Sequence, residues 1–171
     1  VSDAARSHRD YAPTSVGFAA LTVSDSRTAE TDSSGDAVRR RVEGSPHRWV
    51  GARIVVDEVP AVESAVHESL QQPDVDVLVI SGGTGFAPRD VTVEAVEPLL
   101  ERTVVGFGEL FRHLSWAEIG AAAMLSRATA GTIGRQAVFV LPGSPAAVEL
   151  AMTQLILPEA AHLVGQLRRR S

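Results

Sequence analysis

The strongest constraint on this chain is an apolar run, Val75 to Ile80, that passes directly into Ser81-Gly82-Gly83-Thr84-Gly85 and then Pro88-Arg89-Asp90. Such a run fits a parallel strand covered on both faces, and three glycines in four residues leave almost no side chain at its carboxyl end. Backbone N–H groups exposed there can surround a phosphate. Asp90 follows closely, and Thr92 reads as the N-cap of a helix from Val93 to Leu100, so carboxylate, anion and helix dipole are expected to meet at one point. A metal ion reconciles the carboxylate with the phosphate charge. The lysine and serine of a P-loop are missing, as is the spacing of a dinucleotide fingerprint, and a tight strand-to-helix turn would carry the same glycines. Other segments must decide.

Strand, loop and helix recur along the chain. Val16 to Val23 reads as a first strand, with Ser33-Ser34-Gly35 as capping chemistry for a helix reaching about Val42. Trp49 to Val56 is a second strand, and Val62, Ala65, Val66 and Leu70 form the apolar stripe of a helix after Pro60. Asp76 to Ile80 is the third strand. Phe107, Leu110, Phe111 and Leu114 are spaced for one buried helical face, and Ser115-Trp116-Ala117-Glu118 reads as a capping box that opens a second short helix. Ala128 to Ile133 and Ala137 to Leu141 form a hairpin around Gly134-Arg135-Gln136, adding an antiparallel edge element. Leu141-Pro142-Gly143-Ser144-Pro145 repeats the pattern of strand, glycine loop and helix. Pro158 kinks or restarts the last helix, whose inward face holds Leu163 and Leu167.

These alternating elements predict a three-layer α/β/α domain with a mainly parallel sheet and right-handed crossovers. Ligands in such sheets gather where strand order reverses, at the strands' carboxyl ends. The ends at Val23, Ile80 and Leu141 are therefore expected to share one site. Residues 1–15 read as a polar, mobile extension and 16–171 as one domain.

At 171 residues and 44% hydrophobic content the chain can bury a substantial core. Zero cysteines exclude thiolate metal sites, cysteine nucleophiles and disulfides. A formal net charge of −5 argues against a nucleic-acid partner. Arg168-Arg169-Arg170 reads as a solvated helix terminus. The five histidines show no metal-binding spacing. No apolar stretch is long enough for a membrane span or a signal peptide, which predicts a cytoplasmic protein with no membrane partner.

In order, the loops are Ser24-Asp25-Ser26-Arg27, Asp32-Ser33-Ser34-Gly35, Ser81 to Gly85 with Arg89-Asp90, Gly106-Phe107-Gly108-Glu109, Leu125-Ser126-Arg127 and Pro142-Gly143-Ser144. Over residues 16 to 167 this order and spacing resemble the molybdenum cofactor biosynthesis proteins of the MogA/MoaB type, the molybdopterin adenylyltransferases. The resemblance implies a molybdopterin-binding-like fold assembled as a homotrimer or homohexamer, with other proteins of the same pathway as candidate partners. It implies Mg²⁺ as cofactor and ATP and molybdopterin as substrates. In that family the terminal phosphate of molybdopterin attacks the α-phosphorus of ATP, giving adenylyl-molybdopterin and pyrophosphate.

Carried over residue by residue, the resemblance makes Asp90 the catalytic carboxylate, as metal ligand or organiser of the ATP phosphates. Gly82, Gly83, Thr84 and Gly85 would contact nucleotide, although Thr84 could simply brace its own turn. Ser24, Asp25, Arg27, Ser34, Pro142, Gly143 and Ser144 are expected to face ligand. Asp25 could instead form an Asx-turn, and Ser34 could cap a helix. Glu109, Ser126 and Arg127 stand further out: Glu109 could pair with an arginine, and Arg127 could hold phosphate or a structural carboxylate.

One position departs from the pattern. Active members carry an aspartate directly after the proline that opens the second helix, and this chain reads Val59-Pro60-Ala61. Ala61 cannot coordinate Mg²⁺. Asp57, Glu58 and Glu63 are the carboxylates near enough to substitute, and none occupies the matching position. The expectation is an adenylyltransferase; the alternatives are a binding protein that has lost turnover at Ala61 and a structural oligomeric scaffold.

Overall fold

The structure, a computed structural model, describes residues 12–169. Residues 1–11 of the expected extension, and Arg170, lie outside it.

Six strands form one sheet in the order β2-β1-β3-β6-β5-β4: β1 (Gly17–Val23), β2 (Arg48–Val55), β3 (Val77–Ser81), β4 (Arg102–Thr103), β5 (Thr129–Ile133) and β6 (Gln136–Leu141). The first three and β6 run parallel, while β5 is antiparallel to β6 and β4 to β5. This is the mostly parallel sheet with an antiparallel edge that the pattern predicts. The two-residue β4 has no counterpart in the sequence reading, because so short a strand carries no periodic signal.

The alternation of side chains divides the core into two layers. On one face Phe18, Ala20, Val77, Val79, Phe139 and Leu141 pack against α1 (Ser33–Glu43), α4 (Val105–Ile119), α5 (Pro145–Ala151) and α6 (Leu157–Arg168). On the other, Leu21, Val23, Leu78, Ile80, Val138 and Val140 pack against α2 (Val59–Leu70) and α3 (Thr92–Val96). Helices α1 and α2, which follow adjacent strands, thus lie on opposite faces. The strand order reverses between β1 and β3, which opens a crevice at their carboxyl ends.

Several helix ends differ from the sequence reading. Asp32, not Ser33 or Ser34, caps α1: its Oδ1 accepts from the Gly35 N–H at 2.9 Å and its Oδ2 from the Thr22 hydroxyl at 2.8 Å, tying β1 to the helix. Thr92 is the first residue of α3 rather than its cap, and α3 spans five residues before a 3-10 turn at Glu97–Leu99. So short a helix contributes little dipole. Ser115 does not open a new helix, because α4 runs unbroken through it with Phe107, Phe111 and Ser115 on its buried face. Leu110 is exposed and Leu114 half-buried, since that face follows an i, i+4 stripe. Pro158 cannot donate to the Gln154 carbonyl, and the preceding turn, Met152–Ile156, widens to π geometry instead of breaking. The inward residues of α6 are Ala160, Val164 and Gly165, with Leu163 and Leu167 half-buried beside them.

The far end of the sheet is closed by a buried carboxylate. Asp76 Oδ2 accepts from the Gly17 N–H at 2.8 Å, and Asp76 Oδ1 accepts from the Arg168 guanidinium. Arg168, exposed at the helix terminus as expected, also ties that terminus to the sheet. Asp76→Ala should strand the Gly17 N–H and free the end of α6, at a cost of about 2 kcal/mol. A fall of about 6 °C in Tm by calorimetry is expected, with ligand binding at the other end of the sheet unchanged.

Candidate functional site

Three loops meet at the carboxyl rim of the sheet. The Gly82 N–H donates to Leu141 O at 3.2 Å, joining the loops after β3 and β6, and the Ser24 N–H donates to Val55 O at 2.8 Å, joining those after β1 and β2. Gly82 has φ +95, and a Cβ there would sit 2.2 Å from Val23 O. Only glycine lets the β3 loop come this close to β1.

A cleft of about 380 Å³ between the loops after β3 and β6 is lined by Gly82, Gly83, Thr84, Gly85 and Asp90, by Pro142 and Gly143 opposite, and by Ser126, whereas Ser24, Asp25 and Arg27 after β1 do not line it. Ile119, Ala122 and Leu125 complete it with an apolar wall, which the sequence reading missed. Their signal was present in the half-exposed apolar residues that follow the buried stripe of α4. Among the described residues the N–H groups of Gly83, Thr84 and Gly85 donate to nothing else in the protein. Asp90 is half-buried and bound to its own turn, its Oδ2 accepting from the Ala87 N–H at 2.9 Å.

Asp57, at the end of β2, brings a second carboxylate to the rim. Its Oδ1 is buried without a partner and would lie 2.3 Å from a Cβ on Gly83. Its pKa is raised above the ordinary carboxylate value, first by burial and then by the negative charges of Asp25 and Asp90, with Arg89 opposing. Asp25 pairs with Arg89 at 2.5 Å and accepts from the Asp57 N–H at 3.2 Å. Of the three carboxylates near Ala61, Asp57 is the one that sits in this acidic group. Ala61 itself lies half-buried in the first turn of α2. The end of β2 brings Asp57, three residues before Pro60, to the same rim.

Other expected ligand contacts serve the scaffold. Ser34 is buried and donates to Gly143 O at 2.7 Å, holding the last glycine loop. Ser144 caps α5, accepting from the Ala147 N–H at 3.2 Å. Arg27 donates to Thr31 O at 2.8 Å, and Ser24 Oγ accepts from the N–H groups of Ser26 and Arg27. Arg127 donates to Thr84 O, Gly85 O and Asp90 O at 3.0, 2.6 and 3.0 Å and pairs with Glu94, whose carboxyl is held below its usual value by that hydrogen bond. It stands 5.3 Å over the Phe86 ring. Arg127 thus clamps the glycine loop from behind. Glu109 is exposed on α4 and has no ion-pair partner among the described residues.

Among the described residues no three His, Cys, Asp or Glu side chains form a ready metal cage. Magnesium needs none: it takes one or two carboxylates and completes its shell with phosphate and water. The carboxylates of Asp57 and the neighbouring Asp90 fit that pattern.

A family model described as "Probable molybdopterin binding domain" matches residues 19–162. Molybdenum cofactor biosynthesis protein B of Bacillus cereus is 48% identical over 164 residues, covering 95% of this chain and 97% of its own. A crystal structure of a molybdenum cofactor biosynthesis protein B matches with TM-score 0.89 at 48% identity, over 93% of this chain and 99% of its own. The tungsten cofactor synthesizing protein MoaB from Pyrococcus furiosus matches with TM-score 0.83 at 36% identity, over 92% and 100%. With its glycine-loop cleft on a sheet of this topology, the chain belongs to the molybdenum cofactor biosynthesis family of MoaB-type proteins.

Proposed function

We propose that this chain adenylylates molybdopterin with Mg-ATP, releasing pyrophosphate. The observation that carries the reading is the approach of Asp57 to Asp90 at the rim, beside a cleft lined by Asp90 and by the glycine loop whose Gly83 to Gly85 N–H groups donate to nothing else among the described residues. Bound there, Mg²⁺ would offset the charge of the phosphates that face these carboxylates. In the reaction a phosphate oxygen of molybdopterin forms a bond to the α-phosphorus of ATP, and the bond from that phosphorus to the bridging oxygen of pyrophosphate breaks.

No protein nucleophile is needed, because the substrate supplies it. The protein's work is to align two anions. The glycine-loop N–H groups are donors for phosphate oxygens: Arg127 fixes the plane of the Gly85 N–H through Thr84 O, and the Thr92 N–H fixes that of the Thr84 N–H through Gly83 O. Ile119, Ala122 and Leu125 offer an apolar surface to a flat heterocycle. Asp57, as a second carboxylate at the rim, supports turnover over the alternative of a binding protein that has lost it at Ala61.

We place the trimer or hexamer contacts on α4. Val105, Trp116 and Ile119 share one side of that helix and are 65%, 61% and 56% exposed. No helix among the described residues is long and apolar enough to cross a membrane.

Three outcomes are expected. Purified protein with Mg-ATP and molybdopterin should form pyrophosphate and adenylylated pterin, and Asp90→Ala and Asp57→Asn should each lower turnover by about a hundredfold with the fold intact by circular dichroism. Absence of product from the wild type at high protein concentration would refute the catalytic reading. Trp116→Glu should shift the protein toward monomer in light scattering.

The third concerns pH. Because Asp57 holds its proton to higher pH when folded than when unfolded, stability falls as pH rises from the ordinary carboxylate value through the raised one. Asp57→Asn, free of metal and nucleotide, should abolish that fall. Calorimetry at pH 7 should show its Tm about 2 °C above wild type.

A further inference from the structure

Two oxygens beside the glycine loop are buried without partners, Thr92 Oγ1 and Asp57 Oδ1. They come from different elements, the first residue of α3 and the residue that leaves β2. Both nonetheless abut one point: a Cβ on Gly83 would lie 2.2 Å from Thr92 Oγ1 and 2.3 Å from Asp57 Oδ1. Both therefore lie on the side of Gly83 that its missing side chain leaves bare, close enough for one hydrogen bond or one solvent molecule to join them.

Thr92 is 0% exposed, and its N–H already donates to Gly83 O at 2.9 Å. An unpartnered hydroxyl in such a place is destabilising, and valine would fill the same shape without that cost. Packing alone therefore gives no reason for threonine. A carboxylate across the gap is the strong acceptor that does.

We propose that Thr92 is a positioning residue, whose hydroxyl donates to Asp57 Oδ1 directly or through one buried solvent molecule and so aims the other carboxylate oxygen into the cleft. This rests on the reading in which Asp57 helps to hold Mg²⁺. Asp25 and Asp90 repel the Asp57 carboxylate, and Thr92 is the donor that keeps it in place against them. Gly83, at φ +60, leaves the space in which the two groups meet.

The test uses Mn²⁺ with a non-hydrolysable ATP analogue, its affinity for the intact protein read by electron paramagnetic resonance. Thr92→Val should weaken Mn²⁺ binding about tenfold, and Thr92→Ser should stay within about twofold of wild type. The melting temperature of Thr92→Val should not fall. Should valine impair folding, Thr92→Ala gives the same reading with a smaller side chain. Asp57→Asn should also weaken binding, and adding Thr92→Val to it should cost nothing further, because the hydroxyl acts through the carboxylate. Wild-type affinity in Thr92→Val beside a weakened Asp57→Asn overturns the role of Thr92 alone, as do losses that add in the double variant. Wild-type affinity in Asp57→Asn overturns the reading of Asp57 and this proposal with it.

Discussion

The rim works because backbone meets backbone there. Gly82 brings the β3 loop to within contact of the Val23 carbonyl, and its N–H bonds the Leu141 carbonyl on the other side. One residue thus stitches together the ends of β1, β3 and β6. A side chain at that point would force the central loop outward, and the N–H groups of Gly83 to Gly85 would leave the position that the sheet sets for them. Ser34, from α1, reinforces the same seam through Gly143 O. The precision of the cleft comes from parallel strands whose register is set by burial on both faces, far from the site itself.

Electrostatics at the rim run against the fold. Asp25, Asp57 and Asp90 approach one another with one nearby guanidinium, that of Arg89, to balance them. Burial of Asp57 adds to the strain by removing water that would otherwise screen its charge. A structure built only for stability would not collect carboxylates beside unpaired N–H groups. On the proposed function, a bound cation and phosphate would make both favourable together.

The strands were legible because their periodicity and their glycine-rich exits are local signals. Val77 to Ile80 and Ala137 to Leu141 are continuous apolar runs, and burial on both faces of the sheet is what such runs encode. Helix starts were less legible. Asp32, Ser33 and Ser34 are all capping residue types, and only the neighbouring Thr22 hydroxyl, ten residues away, explains why Asp32 takes the cap. Thr92 looked like a cap for the same reason, but its side chain turns inward beside Gly83. Asp57 lies three residues before Pro60, outside the position that the family pattern marks. Its proximity to Asp90 depends on β2 and β3 flanking β1, which is a fact of topology rather than of spacing.

Arg127 shows how a cation can order a glycine loop through its carbonyls alone. From sequence, phosphate binding and a structural ion pair are equally natural for an arginine in a family motif. Its guanidinium instead bonds three carbonyls of the segment from Thr84 to Asp90 and the Glu94 carboxylate, leaving no donor nitrogen uncommitted. Each carbonyl drawn toward Arg127 fixes its peptide plane, and the N–H on the other edge of each plane is fixed with it. The positive end of the loop then faces away from the arginine, as pre-set dipoles rather than a mobile charge. Replacing this clamp with a free surface lysine would keep the net charge and lose the orientation, because an ammonium lacks the planar fork that holds several carbonyls in one arrangement.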